Sequence, residues 1–187
     1  HADHVVPFAL GGPTELWNGQ ALCIPCNLSK SMNIELKSTL PTGLVLRPWQ
    51  EQVLTTASED ADGQPLGLIR QAIQQANTPF NEERVPYVLN AFPGTGKTKA
   101  CFTAAKFLLR NNVIDTVVYL VPSDNLRNSA VDESEYFTMP LRAGKRSAEF
   151  DFTYEKGVVL SYHQVGSPAY RNLLQHYCET RRVMVIA

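Results

Sequence analysis

The sequence predicts an α/β protein in which a small, turn-rich unit precedes a lobe with a mainly parallel sheet. Beyond residue 86, apolar strand-like runs alternate with helix-like runs, an order typical of parallel strands within one sheet. Before residue 38, short apolar stretches are interrupted by turn residues such as Pro7 and the pair Asn18-Gly19. Hydrophobic residues form 44% of the 187 residues, so the chain can bury a core.

Three regions are predicted along the chain. Residues 1–37 form a hairpin that leads into a small helix, residues 38–46 form a linker, and residues 47–187 form the lobe. Pro48 favours the first turn of a helix that opens the lobe. The later elements follow from apolar spacing, in the order helix 66–76, strand 87–91, helix Lys97–Arg110, strand Thr116–Val121, a helix from Asp124, strand Gly157–Ser161, helix 167–178 and strand 182–187.

Charge and apolar run length exclude several classes of protein. Seventeen basic and eighteen acidic residues give a net charge of −1, so any nucleic-acid binding must be local. The apolar runs are far shorter than the roughly 20 residues of a membrane helix, and nothing near residue 1 resembles a signal peptide. We therefore expect a cytoplasmic protein without a membrane partner. His1 replaces an initiator Met and the last strand lacks a turn, which suggests truncation at both ends.

Residues 91–98 read Ala-Phe-Pro-Gly-Thr-Gly-Lys-Thr between a predicted strand and a predicted helix, the context in which such a sequence binds phosphates. The two glycines let backbone N–H groups converge on an anion at a helix N-terminus. Lysine adds a point charge at the β- and γ-phosphates, and threonine can ligate Mg²⁺. The bland alternative is a glycine turn beside a surface lysine. The predicted ATP-binding residues are Pro93, Gly94, Thr95, Gly96, Lys97 and Thr98, with Thr98 also a metal ligand.

With Ala91 at its first position, this loop resembles motif I of superfamily 2 helicases and translocases. Residues 46–52 resemble the glutamine motif of that family, which implies that Gln50 recognises adenine, although Gln50 is also placed to cap a helix. Residues 117–126 are similar to motif Ia, and residues 161–164 to a later threonine-tyrosine-glutamine signature. The resemblance implies a RecA-like first lobe.

The same resemblance has two further implications. Residues 123–127 and 161–164 would contact a nucleic-acid backbone at one edge of the sheet, the alternative being ordinary loop residues. An acidic Asp-Glu box would follow the strand ending at Ala187, and a second lobe would supply an arginine finger. Because this chain contains neither, we expect it to bind ATP without turning it over.

Residues 3–30 resemble the second half of the HNH (ββα-metal) nuclease motif, with Asp3-His4, Gly11-Gly12, Asn18, Cys23, Cys26-Asn27 and Lys30 in register. Phosphodiester hydrolysis needs a base to activate water and a cation at the leaving oxygen. The resemblance implies His4 as the general base, Asp3 and Asn27 as ligands of a Mg²⁺-like ion, Asn18 as a brace and Lys30 near the phosphate. The alternative for Asp3-His4 is a turn with a surface histidine.

Cys23 and Cys26 form half of a tetrahedral Zn²⁺ site, and related families carry a second Cys pair upstream, which here would precede His1. A redox-active pair is the alternative, but no thioredoxin-like pattern surrounds these cysteines. A unit of about 40 residues has too little core to fold unaided, so zinc would stabilise it.

These patterns together predict a fragment of an ATP-dependent DNA helicase or translocase that carries an HNH endonuclease, of a kind found in restriction or phage defence. Metal-dependent cleavage would be coupled to ATP-driven movement on DNA. Two alternatives remain open. The N-terminal unit could be only a zinc-stabilised DNA-binding finger, or the lobe could be a P-loop ATPase acting on RNA or protein.

Overall fold

The computed structural model describes residues 2–4, 14–16, 19–21, 36, 39–55, 67–76, 86–144 and 156–187. Near the N-terminus, strand β1 (Ala2–His4) pairs antiparallel with strand β2 (Gly19–Ala21), and His4 lies opposite Gly19. This pairing agrees with the predicted hairpin. The helix expected to follow it lies outside the described residues.

A four-stranded parallel sheet forms the centre of the lobe. Its strands are β3 (Thr116–Val121), β4 (Arg142–Ala143), β5 (Gly157–Ser161) and β6 (Val183–Ile186), in the order β4-β5-β3-β6. All three neighbouring pairs are parallel. The predicted fold class, an α/β lobe with a parallel sheet, is therefore confirmed.

Within the described ranges, six helices accompany the sheet. Successive strand side chains point to opposite faces. Val117 and Val121 accordingly pack in the larger core, and Val118 packs in the smaller core on the other side. The helices are α1 (Pro48–Thr55), α2 (Leu68–Ala76), α3 (Lys97–Arg110), α4 (Asp124–Tyr136), α5 (Tyr162–Gly166) and α6 (Pro168–Thr180).

The larger core contains the buried faces of α1, α2, α3 and α4, whereas the smaller core contains α6. Phe102 of α3 is fully buried and meets the rings of Tyr119 and Phe137 edge to face, at centroid distances of 5.2 and 5.7 Å. Tyr170 of α6 is the buried aromatic residue of the smaller core. Helices thus pack on both faces of the sheet, as expected when parallel strands are joined by crossover helices.

The segment before the lobe contributes to the same core. Leu36 and Leu46 are buried there, and Leu40 and Leu44 pack against it. A turn joins the Leu44 N–H to the carbonyl oxygen of Pro41 at 3.0 Å. None of the described helices combines the length and apolar content that a membrane crossing requires.

The predicted strand at residues 87–91 is wrong. Val88 is exposed and Tyr87 is half-buried, and no ladder of the described sheet includes residues 87–91. A strand needs a neighbouring backbone to pair its N–H and C=O groups. Tyr87 is instead held by packing and by its hydroxyl, which lies 3.5 Å from the Val53 carbonyl oxygen of α1.

Candidate nucleotide and nucleic-acid site

The glycine-rich loop lies between residues 87–91 and helix α3. Gly94 and Gly96 have φ values of +73° and +92°, in the region that glycine adopts without strain. Gly96 caps α3 with its backbone alone: no side chain accepts a hydrogen bond there, and the first turn contains no acidic residue. The first N–H groups of a helix lack intrahelical acceptors. The loop therefore offers uncapped donors and a positive helix end to an anion, which fits a phosphate.

Lys97 bends back over the start of this loop. Its Nζ donates to the carbonyl oxygens of Ala91 and Phe92, at 2.7 and 3.2 Å. Thr95 closes the turn, because its hydroxyl donates to the same Phe92 oxygen at 2.7 Å. An ammonium group carries three N–H donors, so one more is available to a phosphate oxygen.

Helix α1 braces the loop through Gln50, which is only 3% exposed. The Nε2 atom of Gln50 donates to the carbonyl oxygen of Gly96 at 2.8 Å. Its Oε1 atom accepts from the Arg47 backbone N–H at 2.8 Å, which caps the start of α1. The Arg47 guanidinium adds a bond from Nη1 to the Thr95 carbonyl oxygen at 3.2 Å. The structure thus brings Gln50 to the loop and also gives it the helix-capping role.

Thr98 is half-buried one residue beyond Lys97. Burial raises the pKa of Tyr119, and a smaller opposing effect comes from a hydrogen bond with the Thr98 side chain. On the neighbouring helix α4, burial raises the pKa of Glu133, partly offset by Lys99. Within the part of the chain that the structure describes, no three His, Cys, Asp or Glu side chains come together as metal ligands. Thr98 thus remains a candidate Mg²⁺ ligand that would act together with the phosphates.

A second polar site lies where β3 and β5 end. Ser161 and Gln164 form a reciprocal cap on α5: the Gln164 N–H donates to Ser161 Oγ at 3.4 Å, and the Ser161 N–H donates to Gln164 Oε1 at 3.0 Å. Residues 123–127 begin α4 beside it, and the two segments border a cavity of about 440 Å³. The two predicted nucleic-acid segments are therefore neighbours. Lining residues are Asp124, Arg127, His163, Gln164, Ser167 and Tyr170.

The comparison with protein families identifies the lobe. The model for the res subunit of type III restriction enzymes (ResIII) matches residues 43–186, which is most of the chain.

The chain belongs to the ResIII family.

Membership indicates an ATP-dependent, helicase-like subunit of a restriction enzyme, and the parallel sheet of the ResIII lobe agrees with the expected RecA-like fold. Comparisons with curated proteins and with solved structures gave no match.

Some contacts at the second polar site and at the glycine-rich loop were not predicted from the sequence. The Gly144 carbonyl oxygen accepts hydrogen bonds from Arg127 and Gln164, and Tyr170 lines the cavity beside those two residues. A single glycine with no motif around it gives no signal for such a contact. Arg47 belongs to the segment that resembles the glutamine motif, but its hydrogen bond to the Thr95 carbonyl oxygen depends on how α1 packs and could not be predicted from the sequence.

The match to ResIII begins after the N-terminal hairpin. There, His4 is half-buried and its Nε2 lies 3.2 Å from the hydroxyl oxygen of Thr14, a contact that the sequence did not predict. Asp3 is described only as part of β1. The remaining residues of the nuclease-like pattern, namely Asn18, Cys23, Cys26, Asn27 and Lys30, lie outside the described residues.

Proposed function

We propose that this chain is the first motor lobe of an ATP-dependent DNA helicase or translocase, carrying part of an HNH nuclease at its N-terminus. The observation that carries the motor assignment is the uncapped, glycine-shaped start of α3 with Lys97 folded beside it. In this proposal residues 1–37 are the nuclease unit, residues 38–46 the linker and residues 47–187 the lobe.

The loop 93–98 binds the phosphates of ATP. Its backbone N–H groups and the α3 dipole attract the anion, and Lys97 adds its charge at the β- and γ-phosphates. Mg²⁺, when bound, neutralises phosphate charge, and the Thr98 hydroxyl is the side-chain ligand that this lobe would supply. Gln50 would contact adenine through the second N–H of its Nε2 and the second lone pair of its Oε1, because its hydrogen bonds to Gly96 and Arg47 use one of each.

DNA is the proposed partner at the edge formed by residues 123–127 and 161–164. Restriction enzymes act on DNA, and the family membership supports this choice over RNA or protein. The carboxyl ends of parallel strands are the usual location of ligand sites in such sheets. Phosphate contacts there would position the strand without reading its sequence.

The nuclease half rests on the N-terminal pattern and on one geometric support. β1 places His4 opposite Gly19, and the Thr14 hydroxyl holds one ring nitrogen. A general base needs a fixed imidazole, and this contact helps to hold the His4 ring in place. Asp3 and Asn27 would hold Mg²⁺, and Cys23 with Cys26 would supply half of a Zn²⁺ site that stabilises the unit.

The motor assignment is tested by calorimetry of Mg-ATP binding to the chain of 187 residues. We expect Lys97→Ala to lower the affinity at least ~tenfold, since a charge-assisted phosphate contact is lost. Lys99→Ala is the matched control, because Lys99 is exposed on the same helix and should leave the affinity unchanged. Equal affinities of the Lys97→Ala variant and the wild type would contradict the assignment.

A further inference from the structure

The carbonyl oxygen of Gly144 accepts hydrogen bonds from two helices at once. Arg127 Nη1 of α4 lies 2.7 Å from it, and Gln164 Nε2 of α5 lies 3.1 Å from it. Gly144 directly follows β4, and its N–H donates to the carbonyl oxygen of Val159 in β5 at 2.8 Å. One peptide segment therefore ties both proposed DNA-contacting segments to the sheet.

Gly144 is packed so closely that a Cβ atom at this position would require a neighbouring side chain to shift. A Cβ atom would lie 2.3 Å from Leu160 Cδ2, 3.1 Å from Gln164 Nε2 and 3.3 Å from the Tyr170 hydroxyl oxygen. The absence of a side chain lets the backbone approach these groups. The position of the Gly144 carbonyl group is therefore fixed by packing on several sides.

The Arg127 guanidinium is engaged within the protein. Besides the bond from Nη1, its Nε lies 3.4 Å from Asp124 Oδ1, an ion-pair distance. Nε is shielded from solvent and makes no aligned hydrogen bond with any described residue. The Arg127 side chain is 20% exposed. Its charge is thus balanced by Asp124, and its nearest donor points at a carbonyl group of the protein.

We propose that Arg127 is a positioning residue for DNA binding, which acts through Gly144 and does not itself contact a phosphate. By joining α4 to the Gly144 carbonyl group, it holds residues 123–127 and 161–164 in one arrangement around the cavity. This inference rests on the proposed DNA binding at that edge.

Salt dependence separates positioning from direct contact. Each cationic side chain that neutralises a phosphate of duplex DNA contributes ~0.9 to the slope of log affinity against log salt concentration. Loss of a phosphate-contacting arginine lowers that slope by about 1. A positioning residue alters affinity without altering the number of released ions, so the slope stays the same.

The experiment measures binding of a fluorescein-labelled 20-base-pair duplex to the 187-residue chain by anisotropy, at several salt concentrations. We expect Arg127→Gln to weaken binding ~tenfold with an unchanged slope, because a charge-assisted hydrogen bond that orders the site is lost. Arg110→Gln removes the same charge at the far end of α3 and is the matched control, expected to leave affinity unchanged. A slope lowered by about 1 in Arg127→Gln, or an unchanged affinity, overturns the inference.

Gly144→Ala disturbs the same link without changing any charge. We expect it to weaken DNA binding with an unchanged slope, and the double variant with Arg127→Gln to lose less than the sum of the two single losses. Additive losses overturn the inference. Unchanged Mg-ATP affinity shows that Gly144→Ala is folded. If the wild-type chain fails to bind the duplex, the proposed DNA binding is wrong and the inference fails with it. If the wild type binds and Arg127→Gln has a lowered slope, only the inference is overturned.

Discussion

Asp115 accepts three hydrogen bonds from Arg182. The Arg182 backbone N–H, Nε and Nη2 lie 2.9, 3.2 and 2.8 Å from the two carboxylate oxygens. Asp115 precedes β3 and Arg182 precedes β6, and the Asp115 N–H in turn donates to the Arg182 carbonyl oxygen at 2.8 Å. This exchange sets the register of two strands that are 67 residues apart in sequence.

We expect Asp115→Asn to destabilise the lobe modestly at pH 7, by ~0.5 to 1 kcal/mol, because both side chains are more than a third exposed and water screens the pair. Hydrogen bonds from Arg182 hold the pKa of Asp115 below its ordinary value. A lowered pKa gives stability that is present above the unfolded-state value and is lost as pH falls through the folded-state value. The difference in free energy of unfolding between the two proteins should therefore shrink below about pH 4.

Urea unfolding at pH 7 and at pH 3 measures this difference. Asp132→Asn on the exposed side of α4 is the control for a change of charge alone. A difference that persists undiminished at pH 3 would show that the carboxylate charge plays no part.

Gly96→Ala should destabilise the lobe more than Gly94→Ala. Both positions have positive φ, so alanine is strained at each by ~1 to 2 kcal/mol. At Gly94 a Cβ atom meets nothing within 4 Å, whereas at Gly96 it lies 2.8 Å from Gln50 Nε2 and displaces that side chain. Urea unfolding of the two variants is the measurement, and equal losses of stability would refute the close contact.

Gln50→Glu tests whether Gln50 acts on the phosphate loop or only on adenine. The variant keeps an oxygen to cap α1 but loses the N–H donor to Gly96, so we expect weaker binding of both Mg-ATP and tripolyphosphate. Tripolyphosphate has no base, and its affinity therefore reports on the loop alone. Calorimetry with both ligands gives the answer. Gln52→Glu makes the same change at an exposed position of α1 and serves as the control. If Gln50→Glu weakens ATP binding but not tripolyphosphate binding, Gln50 contacts adenine without bracing the loop.

In a protein that carries the whole nuclease unit, His4→Ala should abolish cleavage of supercoiled plasmid in the presence of Mn²⁺, because the general base is lost. Mg-ATP affinity should stay unchanged, because His4 is not part of the phosphate loop. Thr14→Val should have a milder effect: it removes the hydroxyl oxygen beside His4 Nε2 and should slow DNA nicking without abolishing it. Gel assays of nicked circles report both effects. Full cleavage by the His4→Ala variant would remove the nuclease assignment.

The sequence predicted elements best where apolar period and length agree. Helix Lys97–Arg110 and strands Thr116–Val121 and Gly157–Ser161 have the predicted limits. Residues 87–91 were predicted wrongly because an apolar run has the same pattern whether or not a neighbouring strand pairs with it. Periodicity reports which side chains are buried, and it contains no information on backbone pairing.

In the candidate site, too, local sequence patterns could be predicted, whereas contacts made by tertiary packing could not. The glycines and Lys97 could be predicted because phosphate binding imposes fixed spacings within a few residues. Gln50 was predicted from the resemblance of residues 46–52 to the glutamine motif. The Gly144 contacts could not be found, because a carbonyl group accepts bonds from whatever tertiary packing brings near it. Arg127 and Gln164 reach that carbonyl across 17 and 20 residues of sequence.

The hydrogen bond from Gln50 to the Gly96 carbonyl group limits how short a fragment of this lobe can be if its phosphate loop is to keep its conformation. That oxygen also accepts from the Ala100 N–H at 3.2 Å, so it connects the first turn of α3 to a helix that ends more than 40 residues earlier. A minimal nucleotide-binding fragment must therefore start upstream of Arg47, since trimming to the glycine-rich stretch and its own helix would leave the loop without a scaffold.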